Sequence, residues 1–306
     1  MYKYYIATNL STEEKTMCVV IAKHLPDHGW VLAKNRDRNY KPVISMKQSH
    51  RKGIERLYMQ DDKTRYTEGV NEHGVAIVSA SVMVKKDEKE GAASGSDDQS
   101  QRIFYSPDGI RIRNALLKRT AKAALDELIK LQIPGNTFVA DDKDCFLLEG
   151  AFKNQDETQR NREYIYKTKK LKKTEAVART NHGIFIPWSG YQNNKDNPHE
   201  KASRESSEMR LKIIEKELNK IKKPEDFLEA LSQRPESDPQ LNPIRIDEKR
   251  KAMRTTGQLL MIPKERTLHY RPIWSEIKMD NFNKVNNIKS KTFYEIISSR
   301  KLFDVK

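Results

Sequence analysis

The grouping of its hydrophobic patterns is the feature that most constrains how this chain can fold. Strand patterns occur together near the start, in the middle and near the end of the chain, and two long helical patterns separate them. Grouped strands and helices favour layered α+β packing over a parallel, doubly wound sheet. We therefore expect two antiparallel sheets covered by helices. The strand patterns lie at 18–23, 30–34, 74–84, 136–142, 144–151, 162–168, 175–181 and 256–271, and the helical patterns lie at 109–131 and 200–232, the second broken at Pro224.

The bulk composition limits the compartment and the chemistry. No apolar run reaches the ~18 residues that a membrane span needs, and the first seventeen residues lack the apolar stretch of a secretory signal. The two cysteines, Cys18 and Cys145, are far apart, and there is no CxxC motif. Neither a disulfide framework nor a cysteine zinc site is indicated. We expect a cytoplasmic protein with no cofactor, no metal and no membrane partner.

The charge of the chain is strongly basic. Lysine and arginine number 58 against 43 acidic residues, a net charge of +15. The excess collects at 162–179 and in a tail over 278–306. Such faces can bind nucleic acid through phosphate contacts, but no known nucleic-acid-binding motif accompanies them. A solvated basic surface is favoured, with nucleic acid as the weaker alternative partner. The polar, Gly- and Ser-rich segment 85–102 is typical of a flexible loop.

Cys18 begins the first strand pattern, and a hairpin would bring the end of the second pattern beside it. That end reads Lys34-Asn35-Arg36-Asp37. A carboxylate there could hold an amine, and a cation could favour a thiolate. The alternative is a buried cysteine that acts as a small hydrophobic residue beside an ordinary charged turn.

Five further positions are candidates for site residues. Asn71 lies in the turn before the third strand pattern, Ser81 lies within that pattern, and Asn181 and His182 follow a later strand. An Asn at a strand end can donate to an oxyanion, although such residues more often cap turns. His182 could act as a base or be structural. Arg204 near the start of the second helix opposes the helix dipole, so a tertiary partner is expected.

In this order the motifs resemble a known superfamily. Met-Cys on a strand, an Asn-x-Asp loop, a Gly-x-Asn-Glu-x-Gly turn, a Thr-Asn pair and a Ser-Arg helix start resemble the choloylglycine hydrolase and penicillin V acylase group. They are also similar to acyl-coenzyme A:6-aminopenicillanic acid acyltransferases, and Asn35-Arg36-Asp37 resembles the NRDE proteins. The resemblance runs from about Cys18 to Arg271. All of these belong to the N-terminal-nucleophile (Ntn) hydrolases.

The resemblance implies a four-layer αββα sandwich and cleavage of linear amide C–N bonds. By position, Cys18 would be the nucleophile, Asp37 would hold its α-amine, Asn181 would donate to the oxyanion and Arg204 would support the site. Lys34, Asn71, Ser81 and His182 would assist substrate or oxyanion binding. The bile-salt enzymes carry Asn where Ser81 falls and Arg where Lys34 falls. Lysine keeps the charge but loses the bidentate fork.

This chemistry requires a free amine on Cys18. An α-amine has a pKa of ~7.7–8.0, so it can accept a proton near neutrality. Residues 1–17 would then be a propeptide or upstream extension, removed by autocatalytic cleavage or bypassed by a start at Met17. Residues 18–306 would form one domain acting on a small-molecule amide or acyl substrate, as a monomer or a homo-oligomer. Acyl transfer and a non-catalytic binding or structural role are the alternative functions.

Overall fold

The computed structural model describes residues 16–81, 107–153, 163–192, 197–246 and 253–280. The loop predicted at 85–102 lies outside the described residues. So do residues 1–15 of the upstream segment and the part of the basic tail beyond residue 280. Because Thr16 and Met17 belong to the first strand, that strand begins two residues before the predicted start at Cys18.

Thirteen strands and four helices make up the described part of the chain. In the first half the strands are β1 (Thr16–Leu25), β2 (Gly29–Arg38), β3 (Val43–Arg51), β4 (Ile54–Asp61), β5 (Thr67–Asn71), β6 (Ala76–Ala80), β7 (Gly135–Ala140) and β8 (Cys145–Lys153). The later strands are β9 (Glu163–Lys170), β10 (Ala176–Arg179), β11 (Arg254–Ile262), β12 (Thr267–Pro272) and β13 (Glu276–Asp280). The helices are α1 (Pro107–Ala115), α2 (Ala121–Lys130), α3 (Pro198–Glu217) and α4 (Pro224–Leu231).

The strands form two sheets that pack face to face between helices. One sheet has five strands in the order β10-β1-β2-β11-β12, and the other has eight in the order β13-β3-β4-β5-β6-β7-β8-β9. An apolar core that includes Trp30, Leu32, Met59 and Phe138 fills the space between the sheets. A second core lies between the five-stranded sheet and α3 and α4, and a third between the eight-stranded sheet and α1 and α2. The four-layer αββα sandwich is confirmed.

Three details of the architecture differ from the expectation. The predicted helix at 109–131 is split into α1 and α2, because Thr120 caps the N-terminus of α2 by accepting a hydrogen bond from Ala123 N. The segment 40–67, which shows no clear periodicity, contains β3 and β4. The sheets are antiparallel except at one edge, where β13 runs parallel to β3. The chain reaches that edge by crossing from β12 of the other sheet.

None of the helices in the described ranges has both the length and the apolar character needed to cross a bilayer.

Candidate active site

The β1–β2 hairpin places the predicted nucleophile beside the charged end of β2. In its register Cys18 is opposite Arg36, and Met17 is opposite Asp37. Side chains alternate between the two faces of a strand. Cys18 therefore faces the space between the sheets, whereas Met17 and Asp37 face α3. The hairpin prediction is confirmed, and its register divides the candidate site between the two faces of one sheet.

Two polar side chains contact different atoms of Cys18. Its backbone N–H donates a hydrogen bond to Asn181 Oδ1 at 2.7 Å, and Arg38 Nη1 lies 4.0 Å from its Sγ. The Asn181 amide nitrogen donates to the backbone carbonyl of Ser81 at 2.6 Å. An amide nitrogen carries two hydrogens, so this contact leaves one of them for another acceptor. Cys18 itself is 1% exposed.

A buried hydrogen-bond network fixes the backbone around Asn181. Asn136 Nδ2 donates to the carbonyls of Thr180 at 2.9 Å and His182 at 3.0 Å. Asn181 N donates to Ser207 Oγ at 3.0 Å. Ser207 Oγ also lies 2.8 Å from His182 Nδ1. These contacts come from β7, from α3 and from the loop itself, so the position of Asn181 depends on the packing of both sheets.

Burial and a neighbouring positive charge determine the charge of His182. Burial first, and then the positive charge of Arg204, lower the pKa of this imidazole to about 4. The side chain is therefore neutral at pH 7. Its Nδ1 is engaged by Ser207 and Thr180, so in this structure His182 holds the Asn181 loop.

Between the sheets, three buried cations of β2 share two carboxylates of the facing sheet. Lys34 Nζ pairs with Glu68 at 2.6 Å, Arg36 pairs with Asp61, and Arg38 Nε lies 3.7 Å from the same carboxylate. All five side chains are at most 2% exposed. Among the described residues these pairs contain one more cation than anions.

Asp61 is the anion on which this cluster depends. Burial alone would raise the pKa of its carboxyl. The charges of Arg36 and Arg38 and the hydrogen bonds from Tyr40 and Arg36 reverse that effect and lower the pKa to about 2. The ring of Tyr66 lies beside the cations, 4.9 Å from Lys34 Nζ and 5.6 Å from the guanidinium carbon of Arg38. The cluster thus holds Arg38 in place beside Cys18.

On the opposite face of the sheet, two buried arginines surround Asp37. Thr255 Oγ1 donates to its Oδ1 at 2.8 Å, Arg210 Nη2 donates to its Oδ2 at 2.5 Å, and Arg245 Nε lies 3.9 Å away. In the described part of the chain no contact joins this carboxylate to Cys18. Asp37 therefore lies opposite Met17 and interacts with groups from α3 and β11.

Of the other predicted site residues, the structure brings some to Cys18 and leaves others apart. Ser81 contributes its backbone carbonyl, through Asn181. Lys34 shares the face of Cys18 but is bound to Glu68 and the carbonyl of Ser79. Asn71 contacts the connection between α1 and α2: its Nδ2 donates to the carbonyls of Leu116 and Lys118.

Arg204 has the tertiary partner that was expected, the backbone carbonyl of Tyr191. Its side chain pairs with Glu208 at 2.6 Å and donates to the carbonyl of Tyr191. It makes no contact with Cys18 or Asp37 among the described residues. Arg210, six residues further along α3, is the arginine that reaches Asp37. Both arginines lie in the same polar helix, so the sequence pattern does not distinguish them.

The structure adds residues that the sequence analysis did not assign. Arg38 could have been found, because alternation along β2 places it on the face of Lys34 and Arg36. Asp61, Arg210 and Arg245 had no such signal, since they are distant in sequence and meet only through the packing of the layers.

The second cysteine provides a contrast within the same protein. Cys145 starts β8 in the core between the sheets and is fully buried. Burial first, and then the nearby charges of Asp141 and Asp144, raise its pKa well above the usual value. Cys145 is therefore a structural thiol. Among the described residues no cluster of three or more His, Cys, Asp or Glu could hold a metal ion.

Of the comparisons with known proteins, only the one with solved structures finds a similarity. No protein-family model matches the sequence, and no curated protein matches it. Among solved structures, the chain is similar to penicillin V acylase from Agrobacterium tumefaciens at 10% identity, with a TM-score of 0.43. The similarity covers 84% of this chain and 86% of that one. At this identity and TM-score the similarity assigns no residue a role.

Proposed function

We propose that this protein hydrolyses linear amides with Cys18 as its nucleophile, once the bond between Met17 and Cys18 has been broken. One observation carries the proposal. The nitrogen and the sulfur of this cysteine are each contacted by a different buried polar side chain, Asn181 on the nitrogen and Arg38 on the sulfur. An ordinary core cysteine, such as Cys145, needs neither contact.

The reaction would use both the α-amine and the sulfur of Cys18. Its free α-amine would take the proton of the thiol, and the sulfur would attack the carbonyl carbon of the amide. The remaining hydrogen of the Asn181 amide would donate to the oxyanion. Collapse of this intermediate breaks the C–N bond, and the amine leaves with the proton. Water then hydrolyses the thioester, which releases the acid and restores the thiol. An amine in place of water would give acyl transfer.

The roles of the other residues follow from their contacts. Arg38 would stabilise negative charge on the sulfur, and Asp61 would hold Arg38 in position. Asp37 lies one register position from Cys18 on the neighbouring strand. It would be the carboxylate next to the new N-terminus, held by Arg210 and Thr255. Ser207 and Asn136 would position Asn181 rather than touch the substrate.

A non-catalytic role in the same fold is the second candidate. It is favoured by the burial of Cys18 and by the continuation of β1 through Thr16 and Met17. A thiol in that environment reaches no substrate. The two candidates therefore differ in the state of the Met17–Cys18 bond in the native protein.

The test combines intact mass with matched cysteine variants. The intact mass of the native protein shows which residue is its first. Hydrolysis of a panel of p-nitroanilides is then assayed with wild type, Cys18→Ala, Cys18→Ser and Cys145→Ala. We expect a mass that begins at Cys18, loss of turnover in both Cys18 variants, and retained turnover in Cys145→Ala. Arg204→Ala should keep its turnover, whereas Arg210→Ala should lose most of it. Full turnover in Cys18→Ala, or an active protein that retains Met17, would refute the proposal.

A further inference from the structure

Met17 occupies a small buried pocket of its own on the helix side of the five-stranded sheet. Its side chain is 4% exposed and packs with Tyr191 and Met253, in a cluster separate from the three main cores. Because Met17 is the residue before the nucleophile, its departure would empty this pocket directly beside the new N-terminus.

A buried arginine lies at the far end of the pocket. Arg245 Nη1 is 3.1 Å from the sulfur of Met17, and the side chain is 1% exposed. Its Nη2 donates to Ser206 Oγ at 2.5 Å and to the carbonyl of Gln240 at 3.0 Å, which fix its orientation. A thioether is only a weak hydrogen-bond acceptor. Met17 therefore leaves a well-oriented donor poorly satisfied.

The charges around the pocket favour an anion. Arg245 and Arg210 share the single carboxylate of Asp37 among the described residues. Arg245 Nε, Arg210 Nε and Arg210 Nη1 are buried and have no hydrogen-bond partner there. Burial first, and then the neighbouring Arg210, lower the pKa of Arg245 to about 9. An uncompensated buried cation is costly, and an anionic ligand would remove that cost.

We propose that the pocket vacated by Met17 binds the acyl part of the substrate, and that this acyl group is a short linear chain ending in a carboxylate held by Arg245. The inference rests on the proposed function and names its substrate class: mono-amides of short linear dicarboxylic acids. Tyr191 and Met253 would contact the aliphatic chain.

Met17 and the acyl part of the substrate would occupy the pocket in turn, and Cys18 would attack the carbonyl of each. Attack of its sulfur on the Met17 carbonyl would break the C–N bond between Met17 and Cys18 and pass the thiol proton to the freed α-amine. The product is a thioester whose acyl part ends in Met17. Attack on a substrate gives the same kind of thioester with the substrate's acyl part. In methionine the sulfur is about four bonds from the carbonyl carbon, and the carboxyl carbon of a glutaryl group is at the same distance. A glutaryl chain would therefore bring its carboxylate to Arg245.

The test compares two anilides that differ only in the terminal carboxylate. Glutaryl-p-nitroanilide and hexanoyl-p-nitroanilide are assayed with native protein that begins at Cys18, and with Arg245→Gln and Arg245→Lys. Wild type should favour the glutaryl compound by at least about tenfold in kcat/KM, since a buried donor left unpaired penalises the apolar analogue. The preference should vanish in Arg245→Gln and return in part in Arg245→Lys. Arg111→Gln, which alters an arginine of α1 on the outer side of the eight-stranded sheet, should keep the wild-type ratio.

A binding measurement tests this inference independently of the proposed hydrolysis. Glutaramate and hexanamide, the simplest analogues of the two substrates, are titrated into the same protein by calorimetry. Glutaramate binding that is lost in Arg245→Gln supports the pocket even where no anilide is hydrolysed, in which case only the proposed function fails. Turnover with equal preference for the two anilides, or no glutaramate binding to wild type, overturns the inference and leaves the amidase proposal standing. Should Arg245→Gln not fold, the wild-type preference and the Arg245→Lys variant decide the question.

Discussion

Replacing Asp61 by asparagine removes the carboxylate that Arg36, Arg38 and Tyr40 share while it keeps the shape of the side chain. The side chain of Asp61 is fully buried, so solvent does not screen the loss. Lys34, Arg36 and Arg38 would then have only Glu68 as a counter-charge among their described partners. We expect Asp61→Asn to unfold far more readily than wild type.

The magnitude follows from the pKa of the carboxyl group. Its pKa falls from 3.8 to about 2 on folding, a difference that is worth about 2 kcal/mol at neutral pH. Removing one member of a buried ion pair typically costs ~3–5 kcal/mol, because the remaining charge is left uncompensated. The linkage value is a lower limit, since a protonated acid can still hydrogen-bond. We expect a loss of about 3 kcal/mol.

The sign of the pH dependence provides a second measurement. Because folding depresses this pKa, the unfolded chain binds more protons than the folded one between the two values. The stabilisation is complete above the unfolded pKa of 3.8 and is lost as the pH falls towards 2. Wild type should therefore show a steeper loss of stability over this window than Asp61→Asn.

Urea denaturation at pH 7 and across the acidic range measures both effects, with Glu276→Gln as the matched control. Glu276 also pairs with a cation, Lys41, but its side chain is 61% exposed, so the change should cost less than about 1 kcal/mol. A midpoint for Asp61→Asn equal to that of the control would refute the electrostatic account of this cluster.

Two further predictions concern the loop that carries Asn181. The imidazole of His182 should titrate near pH 4 in the folded protein, measured by the pH dependence of its NMR shifts; a midpoint near 6.5 would contradict the buried, neutral ring. Because this pKa is depressed, wild type should lose stability as the pH falls from about 6.5 towards 4, and His182→Gln should lose less over that interval. Glu149 accepts hydrogen bonds from the backbone N–H groups of Ile184, Phe185 and Ile186, so Glu149→Gln should cost about 1–3 kcal/mol and expose residues 183–190 to limited proteolysis. Protease resistance equal to that of wild type would show that the carboxylate is not what holds this loop.

The site could be predicted where residues in contact are close together in the sequence, and less well where they are far apart. The β1–β2 hairpin is local, since a turn signal between two apolar runs fixes both its existence and its register. The position of Cys18 opposite Arg36 followed from that register. Asn181 was selected by its place in a series of motifs, and the structure brings it to Cys18 across a separation that no local pattern describes.

Asn71 and Arg204 show the limits of choosing residues by motif position. Asn71 donates to the connection between α1 and α2, 45 residues further along the chain, and Arg204 pairs with Glu208 in its own helix. Likewise the helix predicted at 109–131 has continuous spacing, and it is Thr120 that starts a new helix. Local patterns indicate what an element can be, but not which of two similar residues meets a distant partner.

The sequence by itself determined the grouped strands and helices, and hence the layered sandwich, because hydrophobic periodicity is a local property. It also placed a cysteine and two cations, Lys34 and Arg36, at one end of a hairpin. Only the tertiary structure decided which charges compensate them, since Asp61 and Glu68 come from the facing sheet. It likewise brought Arg210 and Arg245 to Asp37. It also decided that Met17 lies in a pocket with Arg245 at its end. That contact spans most of the chain and depends on how the sheet and helices pack.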